Sequence, residues 1–421
     1  QAERLSLKNI QKMLAWPHSN TWTDDEVEHQ GLDPWVQWVS IHTGLPSQQH
    51  GIKRLGDTKY QTREQTWNRV GELGFDWGAW GVMNAPAGDL SHCDVFMPDP
   101  WSFEESPYPE KLSDLLALPR YMARNYLDPS KIQFLLQGLK LVRYFMPPSH
   151  WPTVFKLANQ LAKSAVSPGV NLHSLTTLLD YLATLEFVRY RKTSTAYNVI
   201  FLNHIAHLQH QFWKGSNELH PEMRLGLAVC DLTIGLLIES VDDDDAIMIV
   251  NGLKQKNVEG DGIFVYRQIN PEMAMSTLLG DLAFQLDQCM TNDAHLHFDS
   301  VADTDQALSM LSSAKLCKDE LQLLFCERMG PKHIFSQLMI ERKVEQSEQV
   351  SLNDGSRVRF YDIFETVCER TGAHVQEGDI FARGIRFPDK LYNHEISAEV
   401  IEFFQRQAAL KQENQIALEA V

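Results

Sequence analysis

The chain has 421 residues, and its 43% hydrophobic and 22% charged residues are typical of a folded globular protein. This length suits one large α/β domain with an insertion, or two to three smaller domains. The formal net charge of -17 excludes a general nucleic-acid-binding role, because contacts with phosphates need surfaces rich in Lys and Arg, although a local basic pocket could hold a small anion.

The first predicted elements are a helix and a strand. Residues 1–15 have apolar side chains spaced for one face of an amphipathic helix. Trp35–Thr43 mixes aromatic and β-branched residues and is followed by a loop rich in turn residues. Phe75–Met83 is a short aromatic and apolar segment that favours a strand.

The pattern then becomes helical from about Pro109 to Leu185. Asp114–Tyr126, Lys131–Phe145 and Leu172–Phe187 each have the spacing of a helix, and proline breaks separate them. We interpret residues 109–185 as a helical insertion, or cap, and residues 1–108 and 186–421 as the α/β core into which it is inserted.

The core resumes with strands and helices in alternation. Strands are predicted at Val199–Leu202, Ala246–Val250 and Ile263–Tyr266, with a helix at Pro221–Ser240 after the first of them. Helices are expected to dominate from Pro271 to about Val344, with an interruption near Ala294–Asp299, and the tail from residue 396 onward is helical. This alternation predicts an α/β fold with a mainly parallel central sheet flanked by helices.

Three histidines follow the predicted strand at Val199–Leu202. His204, His207 and His210 lie three residues apart, and this spacing places His207 and His210 on one helix face. Because ligands bind at the carboxyl ends of strands in open α/β sheets, a metal or phosphate site is one interpretation. The alternative is that these are satisfied polar residues on a helix that packs against Phe212 and Trp213.

Two other groups of histidines have simpler interpretations. His42 and His50 lie in a loop segment and are expected to be structural. His295 and His297 are spaced for one face of a strand, but no third metal ligand is near them in sequence. We therefore interpret that segment as a surface strand or a lid.

Three separated segments form one pattern: Trp38–Leu45 with His50-Gly51-Ile52, then His207–Trp213, and finally Gly372-Ala373-His374 with Gly378, Ala382 and Gly384. Together they resemble the type I phosphodiesterase and nucleotide pyrophosphatase branch of the alkaline-phosphatase superfamily. The resemblance spans nearly the whole chain and implies an alkaline-phosphatase-like fold. It also implies two zinc ions that act on a phosphoester, and a Thr or Ser nucleophile.

The resemblance carries over to only part of the active site. The family's nucleophile position falls on Pro34, which has no nucleophilic oxygen, so neighbouring Asp33 is the candidate catalytic residue. For one zinc, the family's Asp, His and late His fall on Ala206, His210 and His374, so both histidines remain and the carboxylate is lost.

The second zinc site lacks the ligands that the family supplies. Its Asp-His pair aligns with Asn251 and Gly252, and its first-strand Asp would precede Gln1. Two neutral imidazoles alone lack the third protein ligand of a usual catalytic zinc site. We therefore expect one divalent metal, zinc favoured, or no metal at all.

Three functional hypotheses remain open. The first is a hydrolase or transferase acting on a phosphate or sulfate ester through a remodelled site with His210 and His374 as metal ligands. The second is a catalytically inactive binding or scaffolding protein, and the third is metal-free chemistry with His207, His210 or His374 as general acid or base. In the first and third, Asn203, Asn251 and Lys254 would bind a small anionic substrate.

Six cysteines without C-x-x-C pairs or zinc spacing favour reduced thiols and a cytoplasmic protein. No apolar run has the length of a membrane-spanning helix. Since the chain begins at Gln1, the lack of a visible signal peptide carries no weight.

Overall fold

The computed structural model describes residues 3–25, 32–127, 129–141, 151–152, 155, 159, 173–192, 194–215, 219–287 and 292–419. The chain divides into two compact units. The first unit comprises Gln1–Ala123, Ser130–Lys256 and Ala373–Val421, and the second comprises Arg124–Pro129 and Asn257–Gly372.

The helices of the described residues are α1 (Lys8–Leu14), α2 (Pro34–Thr43), α3 (Ser47–His50), α4 (Thr66–Glu72), α5 (Ser113–Arg124), α6 (Lys131–Leu141), α7 (His173–Tyr190), α8 (His204–Phe212), α9 (Pro221–Glu239), α10 (Pro271–Leu279), α11 (Val301–Ser313), α12 (Phe360–Ile363) and α13 (Ile396–Glu419). Their strands are β1 (His18–Trp22), β2 (Trp77–Trp80), β3 (Cys93–Met97), β4 (Tyr197–Ile200), β5 (Ile247–Asn251), β6 (Lys254–Asn257), β7 (Phe264–Gln268), β8 (Gln285–Leu286), β9 (Asp293–His297), β10 (Lys315–Leu316), β11 (Leu324–Gly330), β12 (His333–Leu338), β13 (Gln349–Ser351), β14 (Arg357–Arg359), β15 (Phe364–Glu369), β16 (Gly372–Val375), β17 (Glu377–Arg383) and β18 (Lys390–Tyr392).

A three-stranded parallel sheet in the first unit has the order β3-β2-β4. Its central strand β2 is buried along its whole length, as expected for a parallel strand covered on both faces. Gly78 permits this close packing, because a Cβ atom there would lie 2.9 Å from Cγ1 of Val95. Helix α8 begins shortly after β4, so the predicted strand-to-helix segment with the three histidines is confirmed.

A second sheet of the first unit is mixed, with the order β18-β1-β17-β5. Strand β17 is antiparallel to both β1 and β5, whereas β1 and β18 run parallel. The β17–β5 register places Asp379 opposite Asn251. Strands β6 and β16, which lie mostly in the first unit, form a separate two-stranded sheet.

The second unit is built on a four-stranded antiparallel sheet, β11-β12-β9-β8, whose core residues also come from α10 and α11. The expectation that helices continue to Val344 is wrong beyond α11. Strands β11 and β12 form a hairpin there, closed by the turn after Gly330, and the interior of β12 is buried by the sheet. Pro331 in that turn breaks the helical pattern that the apolar spacing indicated.

The α/β class is confirmed, and the described strands place the parallel pairing mainly in the β3-β2-β4 sheet. Helices α5, α6 and α7 confirm the helical character at both ends of residues 109–185, while residues 142–150 and most of 153–172 lie outside the described part. The division of the chain into a core and a cap at 109–185 stays a prediction. Among the described helices, none has both the length and the apolar character needed to cross a membrane.

Candidate active site

The start of α8 is fixed by a carboxylate from a neighbouring helix. Oδ2 of Asp180, on α7, accepts hydrogen bonds from the backbone nitrogens of Asn203 at 2.7 Å and His204 at 2.8 Å. A carboxylate at this position satisfies amide groups that have no partner within a helix and complements the positive end of the helix dipole. Asn203, a predicted substrate-binding residue, therefore lies at the cap of α8, and its backbone N–H donates to Asp180.

His204 is a structural residue of this helix start. Its side chain is buried, its Nδ1 lies 2.8 Å from Oδ2 of Asp180, and its Nε2 lies 3.3 Å from the carbonyl oxygen of Gly226 on α9. A Cβ atom at Gly226 would lie 2.3 Å from Cδ1 of Leu208, so glycine lets α9 approach α8 closely. The bonds of His204 orient α8 rather than present this ring to a ligand.

His210 and His374, the predicted metal ligands, lie next to each other. Their ring centroids are 4.8 Å apart and their planes cross at 72°. His210 comes from the last turn of α8, and His374 comes from β16. Two residues far apart in sequence thus meet in the first unit, as the resemblance implied.

The tautomer of His374 follows from its neighbour. Its Nδ1 lies 3.2 Å from the carbonyl oxygen of Leu32, and because a carbonyl only accepts, Nδ1 donates. In a neutral ring Nε2 then carries the lone pair. Ligand histidines usually have this arrangement, in which a carbonyl holds the opposite nitrogen.

The same carbonyl brings Asp33 into the neighbourhood. Asp33 follows Leu32 directly and caps α2, with extended backbone angles and no side-chain capping bond. Pro34 is the first residue of the helix, a position that suits proline because its missing N–H would have no helical partner. The positive end of the ten-residue helix α2 therefore begins within two residues of the carbonyl that holds His374.

His207 lies one turn before His210 and is half-buried. Burial lowers the pKa of its imidazole below the ordinary value, and the negative charge of Asp180 offsets part of this effect. The neutral form, which can accept a proton, is therefore favoured at neutral pH. This state is compatible with the predicted acid–base role, which stays a prediction.

Gln255 is a neighbour of the histidine pair that the sequence did not indicate. From β6, its Nε2 donates to the carbonyl oxygen of Ala206 at 3.1 Å and lies 3.5 Å from Nε2 of His210. Its Oε1 is buried, and within the described part of the chain it has no hydrogen-bond partner. An amide in the polar stretch Lys254–Asn257 carries no sequence signal, so only the folded contact identifies it.

Asn251 and Lys254 converge on Asp379 of β17. Oδ1 of Asn251 accepts from the backbone nitrogen of Asp379 at 2.7 Å, and Nζ of Lys254 lies 2.8 Å from its Oδ1. His18 approaches the same oxygen, with its Nε2 at 2.7 Å. The charge of Lys254 is thus balanced by a carboxylate, and substrate binding by Lys254 and Asn251 stays a prediction.

The carboxylate of Asp25, which the sequence did not indicate either, organises the loop after α2. It is buried and accepts hydrogen bonds from the side chains of Thr23, Gln37, Ser47 and Gln48. All four donors are neutral, and they tie the end of β1 to α2 and α3. The short segment between Asp25 and α2 includes residues 26–31, which lie outside the described part of the chain.

His42 and His50 are buried in the first unit, in accordance with the structural interpretation. The ring of His42 lies against Trp38 and Trp67, with centroid distances of 6.0 and 5.4 Å, and burial lowers its pKa to about 4. Nε2 of His50 lies 3.1 Å from Oγ of Ser40, and burial likewise lowers its pKa to about 4. Both imidazoles are therefore neutral at neutral pH.

The second unit contains its own histidine cluster. His295 is buried on β9, an inner strand of its sheet, so the interpretation as a surface strand or lid is wrong. Its Nδ1 lies 2.7 Å from Nε2 of His333, whose ring stacks on that of His297 at 4.3 Å. Throughout the part of the chain that the structure describes, no three His, Cys, Asp or Glu side chains form a group that could hold a metal ion.

No family model matches the chain, and no curated protein sequence matches it. Solved structures similar to it include human ectonucleotide pyrophosphatase/phosphodiesterase 5 (10% identity, 94% of this chain and 89% of that chain, TM-score 0.44) and its murine counterpart (8%, 96% and 91%, 0.45). Phosphonoacetate hydrolase from Sinorhizobium meliloti 1021 in complex with phosphonoformate is also similar (11%, 95% and 91%, 0.42).

The two ectonucleotide pyrophosphatase/phosphodiesterases carry the name of the group that the sequence motifs resemble. With TM-scores below 0.5 and identities of at most 11%, the similarity indicates nothing about activity, ligands or partners of this chain.

Proposed function

We propose that the chain is a hydrolase or transferase that acts on a phosphate or sulfate ester at the site formed by His210, His374 and the start of α2. The observation that carries the proposal is the contact between the two imidazoles, with a ring-centroid distance of 4.8 Å. Two histidines that the sequence resemblance assigns to one metal site lie together in the folded chain, beside the positive end of a helix, where an anionic ester is favoured.

We propose that His210 and His374 hold a single divalent metal ion, with zinc favoured. The Nδ1 of His374 is bound to a carbonyl, as in histidines that bind a metal through the other ring nitrogen. When bound, such an ion would polarise the ester oxygen and lower the pKa of a coordinated water. Two dedicated metal ions are not proposed, because Asn251 and Gly252 replace the second ligand pair.

The protein groups have distinct proposed roles. His207, neutral because of burial, would accept a proton from an attacking water molecule as the ester bond breaks and the alcohol leaves. The alternative nucleophile, the carboxylate of Asp33, would attack without giving up a proton. Asn203, Asn251 and Lys254 are the proposed contacts for the anionic ester. We also propose a cytoplasmic location, on the cysteine pattern alone.

The experiment is to measure hydrolysis of bis(p-nitrophenyl) phosphate, p-nitrophenyl phosphate and p-nitrophenyl sulfate by the metal-depleted full chain, with and without added Zn²⁺ or Mn²⁺. We expect turnover of at least one ester that falls about 100-fold or more in His210→Ala and in His374→Ala. The matched control is His92→Ala, a half-exposed histidine of the first unit paired with Asp76 at 3.2 Å, which should retain full activity. Equal activity of all three variants would contradict the assignment of the site.

The second candidate is a catalytically inactive binding protein, favoured by Pro34 as the first residue of α2 in place of a nucleophile. It predicts no turnover of any ester. Inorganic phosphate or sulfate should then still bind to the wild type in calorimetry, and His374→Ala should weaken that binding. Turnover that depends on His210 would refute this second candidate.

A further inference from the structure

Strand β14 is an edge strand of the second unit. Its sheet has the order β10-β13-β14, so within the described residues β14 has one neighbouring strand and one free edge. The backbone nitrogen of Phe360, just after β14, donates to the carbonyl oxygen of Glu348 at 2.9 Å, on the β13 side. Just before β14, the carbonyl oxygen of Ser356 accepts from the backbone nitrogen of Leu352, also at 2.9 Å. Because backbone groups alternate in direction along a strand, those of Val358 face β13 as well.

The backbone of Arg357 and Arg359 therefore faces away from the sheet. Both residues occupy non-hydrogen-bonded positions, opposite Ser351 and Gln349 of β13. The N–H and the carbonyl oxygen of Arg357 point to the free edge, and so does the N–H of Arg359, whose carbonyl begins α12. Backbone groups at a free edge can pair with a further strand.

A cleft of about 400 Å³ is lined by all three residues of β14, a volume in the range of ligand-binding clefts. Helix α10 contributes Met273 and Thr277, which lie one turn apart, and α12 contributes Ile363. Met273 is 42% exposed, although it is a large apolar side chain. The free edge thus borders a cleft with apolar surface on it.

The cleft has one unbalanced positive charge. Nη2 and Nε of Arg359 bind the two carboxylate oxygens of Asp362 at 2.7 and 3.1 Å, so this ion pair is neutral. Arg357 is exposed and has no hydrogen-bond or ion-pair partner among the described residues. The side chains of Arg357, Arg359 and Gln349 lie on one face of the two strands, because they are separated by two residues or directly opposite each other.

We propose that β14 binds an extended acidic segment of a partner protein, which adds to the free edge as a further strand. An Asp or Glu opposite Arg357 would form a cross-strand ion pair, and alternate apolar side chains of the segment would lie on the face of Val358. Arginines at the edge repel a basic strand, so they select for an acidic one. The inference is independent of the proposed ester chemistry, because all residues that carry it belong to the second unit.

The test measures the binding of fluorescein-labelled peptides to the full chain by fluorescence anisotropy. The probe is Ser-Glu-Val-Glu-Val-Glu-Ser, and the same peptide with Lys in place of Glu should not bind. Arg357→Glu should weaken binding of the probe about 10-fold or more, because it removes a charge-assisted contact. Arg370→Glu makes the same change of charge beyond the far end of β15 and should leave the affinity unchanged.

Arg359→Pro and Arg359→Ala test the pairing of the backbone. Arg359 has a φ of -71°, which proline adopts, so Arg359→Pro removes an outward N–H without breaking a bond to β13. Both variants lose the guanidinium, and Arg359→Pro should bind the probe about 5-fold more weakly, the effect of one hydrogen bond. Thermal unfolding verifies that each variant is folded. If Arg359→Pro is unfolded, N-methylation of alternate amides of the probe makes the same test on the wild type.

The proposal is overturned if the acidic probe does not bind, if the basic peptide binds equally well, or if Arg370→Glu weakens binding as much as Arg357→Glu does. Equal affinities of Arg359→Pro and Arg359→Ala, or an N-methylated probe that binds as the unmodified one does, would also overturn it. Binding that is lost in Arg357→Glu and depends on the outward N–H of Arg359 supports strand addition at β14.

Discussion

Two histidine pairs in this chain differ in how their hydrogen bonds are completed. In the second unit, Nδ1 of His295 lies 2.7 Å from Nε2 of His333, so one ring satisfies the other. In the first unit, His210 and His374 meet ring edge to ring face, His374 is held by a backbone carbonyl, and Nε2 of Gln255 lies 3.5 Å from Nε2 of His210. The comparison teaches that a short distance between imidazoles does not by itself indicate a metal site, because one imidazole can satisfy the other.

The largest expected effect concerns the support of the first pair. Asp180→Ala removes the carboxylate that binds the backbone of Asn203 and both the backbone and the ring of His204. Because this leaves buried donors without an acceptor, we expect a loss of about 3–5 kcal/mol in the free energy of unfolding, measured by urea denaturation.

The control for this change is Asp114→Ala, another acid in the first unit, in the first turn of α5, which should cost less than about 1 kcal/mol. If Asp180→Ala also lowered the free energy of unfolding by less than about 1 kcal/mol, packing alone would hold α8. The position of His210 beside His374 would then not depend on Asp180.

The second effect is a pH dependence from His42, a histidine that packing alone holds. Burial lowers its pKa from 6.5 to about 4, so the unfolded chain binds a proton that the folded chain does not between these values. The contribution of neutral, buried His42 to the free energy of unfolding is therefore complete above pH 6.5 and is lost as the pH falls towards 4. His42→Phe, which keeps a ring between Trp38 and Trp67, should reduce the loss of stability over that range by about 3 kcal/mol.

The measurement is chemical denaturation of the wild type and His42→Phe at several pH values from 7.5 to 4. Carboxylates titrate in both proteins, so the difference between the two curves isolates the imidazole. Parallel curves would mean that His42 is protonated equally in both states, contrary to its burial.

The smallest effect tests the second pair directly. In a double-mutant cycle of His295→Leu and His333→Leu, the coupling free energy should be about 1 kcal/mol, the typical value of one hydrogen bond between neutral groups. Neither substitution should change cation affinity at His210 and His374. A change in cation affinity on either substitution would place the metal in the second unit and reverse the comparison.

The sequence predicted the elements whose patterns are local. The apolar run before His204 and the spacing of the three histidines were enough to place β4 and α8, and the motif order was enough to pair His210 with His374. The hairpin of β11 and β12 was missed because its apolar residues also fit a helix period, and only partner strands decide between the two.

The sequence could not identify Gln255, Asp25 or Asp180 as important residues. Gln255 acquires its role from a contact with the backbone of Ala206, and Asp180 from two amides at the start of another helix. Asp25 was assigned no role because its four donors come from separate segments. Such roles depend on which groups burial leaves without a partner, and that property exists only in the folded chain.

The second unit leaves the first after Lys256 and returns at Ala373, and the two strands at these points, β6 and β16, are hydrogen-bonded neighbours. Adjacent strands lie about 4.8 Å apart, so this long excursion begins and ends at almost the same place. Gln255 stands just before the exit and His374 just after the return. The pairing of β6 with β16 therefore sets Gln255 and His374 on neighbouring strands, although the whole of Asn257–Gly372 lies between them in sequence.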